Sequence, residues 1–280
     1  MRRRTLLALP ALGIVPPALL SACSEESAVP IVDPTPVPVP DAVEGAEVLT
    51  YGEDPSQFAE LHRPEGPSRG VVVVSHGGFW KSAYDHTLGQ PLARALVAEG
   101  WTAWNIEYRR VGNGGGTPET CDDVAGAVDA LAEVDDLDLS TVVTLGHSAG
   151  GHLAVWAAGR EQPRVAVTHA ISQAGVLDLV ECERLGLGGG AAAALLGHTP
   201  GPEDAQWDPQ QQIPLDVPVW CVHGVDDAIV PLGQSEGYVV DAQAAGAQAE
   251  VVRVPGDHFA VIDTSSEAWA ATLGILDSIG

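Results

Sequence analysis

Along the chain, short continuous apolar runs alternate with stretches in which apolar residues recur every three or four positions. Runs of the first kind fall at 47–51, 57–62, 71–75, 101–107, 142–145, 166–172, 217–222 and 250–254, and their length predicts strands. Stretches of the second kind, at 91–99, 118–133, 150–159, 233–245 and 267–278, predict helices. Strand, helix, strand in succession implies right-handed crossovers, and so an α/β fold with a mostly parallel, eight-stranded sheet and helices on both faces. The first two runs have no helix between them and are expected to form an antiparallel edge. Residues 177–212, rich in Gly and Ala, fit no strand and are expected to cover the carboxyl edge of the sheet.

The pattern begins only near residue 42. Residues 1–22 start with Arg2, Arg3 and Arg4, continue as an uncharged apolar stretch and end in small residues before Cys23. That order predicts an export leader, and Pro10, Pro16 and Pro17 argue against an uninterrupted spanning helix. Leu20-Ser21-Ala22-Cys23 resembles a bacterial lipobox, which implies acylation of Cys23 and a lipid anchor on the outer face of the cytoplasmic membrane. Arg3-Arg4-Thr5-Leu6-Leu7 is also similar to a twin-arginine export signal, with Sec export as the alternative. In 23–41, Pro30, Pro34, Pro36, Pro38 and Pro40 nearly alternate with other residues, which predicts a semi-rigid extended tether. Residues 42–280 would then be one globular domain.

Composition narrows the partners. An apolar fraction of 45% supports a substantial core, and 13 basic against 38 acidic residues give a net charge of −25. Such a surface repels phosphate backbones, so nucleic acid is excluded as a partner. Neither His-x-x-x-His nor Cys-x-x-Cys spacing occurs, and no Gly-Lys-Ser/Thr follows the glycines at 112–116, so no metal and no cofactor are expected. In an oxidising compartment Cys221, inside an expected strand, would pack as a small hydrophobe. Cys121 and Cys182 would then be left as the pair a disulfide would join.

The chemistry concentrates at strand ends. Gly146-His147-Ser148-Ala149-Gly150 places a serine between two glycines where a strand must turn into a helix, the setting of a nucleophile elbow. A serine needs a base and an acid. Strand 217–222 runs into Asp226 and Asp227, either of which would serve as the acid, and the strand ending at residue 254 leads through Pro255-Gly256 to His258, the candidate base. The strand 71–75 leads into His76-Gly77-Gly78-Phe79-Trp80, where backbone N–H groups of Gly78 or Phe79, together with Ala149 after the serine, would hold an oxyanion. Trp80 is either a pocket wall or core. His147 and His152 are expected to pack on the sheet or line the site, and Arg109 to brace loops.

Together, Gly146 to Gly151, His76 to Trp80, His223 to Pro231 and His258 resemble the α/β-hydrolase fold, within it the esterase, lipase and prolyl-oligopeptidase-like group. The resemblance favours Asp227 over Asp226, through its spacing from His223-Gly224 and to Val230-Pro231. The His-Gly-Gly-x-Trp loop is similar to that of kynurenine formamidases, whereas Phe79 stands where lipases carry a third glycine. The expected activity is therefore that of a serine hydrolase acting on a small carboxylic ester. An aryl formamide or a short peptide is the alternative substrate, and a surface binding module on an inactive hydrolase fold is the non-enzymatic alternative. Pocket walls are expected from the segment after Leu177 and the loop around Trp80.

Overall fold

The computed structural model describes residues 43–279; the expected leader, Cys23 and the proline-rich tether lie outside the described residues. The strands are β1 (Ala46–Thr50), β2 (Phe58–His62), β3 (Val71–Ser75), β4 (Thr102–Ile106), β5 (Val142–His147), β6 (His169–Gln173), β7 (Val219–Gly224) and β8 (Ala249–Val254). They form one eight-stranded sheet in the order β1-β2-β4-β3-β5-β6-β7-β8. β1 pairs antiparallel with β2, and β2 antiparallel with β4; the remaining pairs are parallel. The helices are α1 (Gln90–Ala98), α2 (Glu119–Asp129), α3 (Ala149–Ala158), α4 (Leu179–Arg184), α5 (Ala191–Leu196), α6 (Gly233–Ala244) and α7 (Glu267–Ile279). Among the described residues no helix is long and apolar enough to cross a membrane.

Alternation along β3 divides the core. Val71 and Val73 pack with Val124 of α2 and Leu153 of α3. Val72 and Val74 pack with Leu92 and Leu96 of α1 and Trp269 of α7 on the other face. Side chains of a strand point alternately to opposite faces, so a strand covered on both must be apolar throughout; the four valines meet that demand, each at most 1% exposed.

Connectivity positions the site. After β3 the chain crosses through α1 to β4 on one side, and after β4 it crosses through α2 to β5 on the other side of β3. The loops leaving β3 and β5 therefore diverge at their carboxyl ends, which opens a crevice at the point where the strand order reverses.

The structure overturns the expected disulfide. Cys121 on α2 and Cys182 on α4 are free thiols, both fully buried in the same apolar cluster. Each fills core volume as Cys221 does, and burial pushes the Cys182 thiol up to about 12, which keeps it protonated and unreactive. Residues 177–212 form α4, α5 and short 3₁₀ turns. Leu179, Ala191 and Leu195 insert into the core on the α2/α3 face, while Gly188 meets the ring of Phe79.

Candidate active site

Ser148 joins β5 to α3 with φ 57° and ψ −119°, a conformation that costs a residue with a side chain about 1–3 kcal/mol. The strain is held in place by close packing on either side. A Cβ on Gly146 would come 1.9 Å from the carbonyl oxygen of Gly150, and one on Gly150 would come 2.0 Å from that of Ser75. Both glycines are thus required by backbone approach. Gly150→Ala should lower the thermal midpoint by on the order of 10 °C, because backbone cannot step aside as a flexible side chain can; an unchanged melting curve would show that helix and strand do not meet this closely.

The candidate acid and base lie after two later strands. Asp227 follows β7, and its Oδ1 accepts from the backbone N–H groups of Ile229 (2.8 Å) and Val230 (2.9 Å). Its Oδ2 lies 2.7 Å from Nδ1 of His258, which follows β8, and 3.2 Å from Nε2 of His223. The side chain is shielded from solvent. Burial alone would raise its pKa, but the hydrogen bonds from His223, His258, Val230 and Ile229 prevail and hold the carboxyl well below the usual range. Asp226, by contrast, is exposed.

Two further histidines complete the frame. His147 Nε2 lies 2.9 Å from the backbone carbonyl of His258, and the two rings are 4.5 Å apart. Burial and the neighbouring His258 push the His147 pKa down to about 3, so the ring is neutral, and Nε2 must carry the proton because a carbonyl can only accept. His223 is fully buried, with Nδ1 2.8 Å from Ser235 Oγ and Nε2 2.9 Å from the carbonyl of Val230. The sequence pointed to His147 as packing or lining and gave His223 no separate role. The only signal was their position at the ends of β5 and β7.

The loop after β3 lies against the serine turn: a Cβ on Gly77 would come 3.1 Å from Ser148 Cβ. Gly78 (φ 114°), Phe79 (φ 51°) and Trp80 (φ 53°) hold successive left-handed conformations. Among the described residues no hydrogen bond uses the backbone N–H of Gly78 or Phe79. Ala149 opens α3, where an N–H has no partner within the helix. Trp80 is core, fully buried. His152 packs with Nε2 2.7 Å from the carbonyl of Trp207, and Arg109 braces α2 through two bonds to Asp123, at 2.8 and 2.6 Å.

Ser148 and His258 line one cavity of about 180 Å³, together with Gly78 and His147. Its walls are Phe79, Tyr84, Leu88, Ile229, Phe259 and Ile262. The segment after Leu177 contributes no wall, contrary to expectation, because it is drawn into the core beside α2 and α3. The loop around Trp80 does contribute, through Gly78, Phe79 and Tyr84. Tyr84, Leu88 and Phe259 remain 47%, 40% and 55% exposed at the rim, an apolar surface that water solvates poorly.

Residues 60–239 match the profile of the BD-FAE family, an α/β-hydrolase-type esterase family. No curated protein matches the sequence. Among solved structures, a bifunctional GH43-CE protein of Bacteroides eggerthii is 24% identical with a TM-score of 0.66, covering 75% of this chain but only 35% of its own. A truncated carbohydrate esterase from gut microbiota is 19% identical, with a TM-score of 0.69 over 85% of this chain and 99% of that one. Esterase 2 of Thermogutta terrifontis, phosphonylated by sarin, is 21% identical with a TM-score of 0.72 over 86% and 96% of the two chains. In its butyrate-bound form the same esterase is 22% identical with a TM-score of 0.68 over 84% and 93%. These likenesses establish a shared fold.

Proposed function

Because this chain belongs to the BD-FAE family of α/β-hydrolase-type esterases, we propose that it cleaves a small carboxylic ester through an acyl-enzyme on Ser148. The observation that carries this reading is the 2.7 Å contact between Asp227 and Nδ1 of His258 beside a strained serine in the same cavity. With Nδ1–H committed to Asp227, Nε2 is left as the base. Ser148 Oγ attacks the ester carbonyl as His258 Nε2 takes its proton, and the tetrahedral oxyanion accepts hydrogen bonds from Ala149 N–H and from Gly78 or Phe79 N–H. Collapse breaks the C–O bond, and the imidazolium returns the proton to the leaving alkoxide. Water then repeats the sequence on the acyl-enzyme, releasing the acid and restoring Ser148.

The cavity supports a small substrate group. At about 180 Å³ it is below the roughly 300–1,000 Å³ of sites that enclose a drug-sized ligand. One side of the ester would fill it while the other passes the exposed rim. The butyrate bound by the Thermogutta terrifontis esterase is a ligand of this size. The leader-like residues 1–22 and Cys23 extend the proposal to an exported, lipid-anchored enzyme.

The loop His76 to Trp80 keeps an aryl formamide as the competing substrate. The test is kcat/KM on short-chain p-nitrophenyl esters against an N-formyl arylamine. The proposal expects a preference of at least about tenfold for the ester, with acyl chains beyond the cavity's capacity losing that preference. A formamide preference would replace the ester reading.

A further inference from the structure

Behind the loop after β3 lies a buried cluster of charge that the mechanism above does not use. As the chain leaves β4 it places Glu107, 3% exposed, under two separate segments. Oε1 accepts from the backbone N–H of Tyr108 at 2.7 Å, pairs with the guanidinium of Arg110, and lies 3.2 Å from Nε2 of His76, a nitrogen that Arg110 also approaches at 3.2 Å. Oε2 accepts from the backbone N–H of His86 at 3.1 Å and lies 3.4 Å from its Nδ1. Beyond His86, its Nε2 faces Glu60 Oε1 of β2 at 3.5 Å.

The two segments meet at the cavity from different sides. His76 opens the loop that carries Gly78 and Phe79, and it is fixed further by Tyr108, whose ring stacks on it at 4.4 Å and whose hydroxyl donates to its carbonyl at 2.6 Å. His86 sits between Tyr84 and Leu88, both cavity walls. We propose that Glu107 is a positioning residue whose two carboxylate oxygens separately hold the oxyanion loop, through His76, and the apolar substrate wall, through His86. The assignment rests on the esterase reading of Ser148.

A carboxylate is needed because both oxygens face N–H donors. An amide at residue 107 would set its NH₂ against Tyr108 N–H and Arg110, or against His86 N–H, and one buried donor would lose its acceptor in either orientation. Electrostatics agree with the geometry. Burial opposes ionisation of Glu107, yet His76, His86 and Arg110 hold its carboxyl well below the usual range. Burial likewise opposes a charge on His86, but the carboxylates of Glu107 and Glu60 push its pKa up to about 9. Its neighbour Asp85 is a further charged group beside it, and the ring of Phe58 packs edge-on at 4.9 Å.

The division of labour gives a split in steady-state kinetics on p-nitrophenyl acetate. His76→Gln should lower kcat by about tenfold or more with KM little changed, since displaced donors weaken only the transition state. His86→Gln should raise KM several-fold with kcat within about twofold, since a slack wall weakens binding of substrate and transition state alike. Glu107→Gln should do both; if it fails to fold, the two histidine variants carry the test. A readout independent of turnover is the His86 imidazole titration followed by NMR in the full chain. It should have its midpoint near 9 and fall in Glu107→Gln. The proposal is overturned if the two histidine variants move the same kinetic parameter, or if His86 titrates at the ordinary ~6.5. Wild-type protein with no Ser148-dependent turnover would instead defeat the esterase reading, and the titration would still decide whether Glu107 holds His86.

Discussion

Ser148→Ala should lower kcat on short-chain p-nitrophenyl esters by on the order of 10⁶-fold, leaving a residual rate about 10³–10⁴ above the uncatalysed one. The loss is this large because the acyl-enzyme route disappears altogether: no other hydroxyl occupies the β5–α3 turn. The residual rate would come from the proposed oxyanion donors and from binding, which the substitution leaves in place. Fold stability should hold or rise, since alanine removes a side-chain hydroxyl but keeps the Cβ at the same backbone angles. Parallel melting curves and kinetics on the two proteins check both halves. A kcat within tenfold of wild type would mean that the nucleophile is elsewhere.

Asp227→Asn should lower kcat by about 10⁴-fold at little-changed KM. Its effect follows from which atoms surround the side chain. Oδ1 accepts two backbone N–H groups, from Ile229 and Val230, so the amide oxygen of asparagine is bound to take that position. The NH₂ group then faces Nδ1 of His258, which must become an acceptor, and the ring's proton moves to Nε2, the nitrogen proposed to deprotonate Ser148. Nε2 of His223, 3.2 Å from the same site, turns from a contact with a carboxylate into one with a donor, which adds a stability cost. Asp226→Asn, on the exposed neighbour, serves as the control and should leave kcat unchanged. Equal losses at the two positions would contradict the geometry.

How much of this was legible in the sequence depended on whether a feature is local or assembled. The strand at 71–75 matched β3 to the residue, because a central parallel strand must be apolar on both faces and Gly70 and His76 bound it. The start of α3 followed from Gly146 and Gly150, whose role is short-range backbone approach. Strand β5 ran two residues further than expected, through Gly146 and His147, because its ladder continues to Ser172 and Gln173 of β6, and pairing across 26 residues leaves no mark in local hydropathy. The preference for Asp227 over Asp226 came from the family resemblance, while the structure gives its physical content, one aspartate facing His258 and the other exposed.

What failed was assembled from distant parts. A pairing of Cys121 with Cys182 was inferred by elimination, yet both thiols are simply core. Trp80, open between wall and core, is core because the left-handed turn at Phe79 and Trp80 directs one aromatic ring to the cavity and the other inward. Of the cavity walls, Phe79 and Ile229 fall within the motif stretches, whereas Tyr84, Leu88, Phe259 and Ile262 carry no motif. His223 and the buried pair Glu107 and His86 escaped for the same reason: their meaning lies in atoms about 3 Å away, most of them on other loops and helices.

The central claim, that Ser148 is a nucleophile activated by His258 and Asp227, is tested most directly by peptide mass spectrometry after reaction with a fluorophosphonate. The account predicts one phosphonyl adduct, on the peptide containing Ser148, absent in Ser148→Ala and formed far more slowly in Asp227→Asn. An unmodified Ser148 in folded protein, or an adduct that persists in Ser148→Ala, would contradict it.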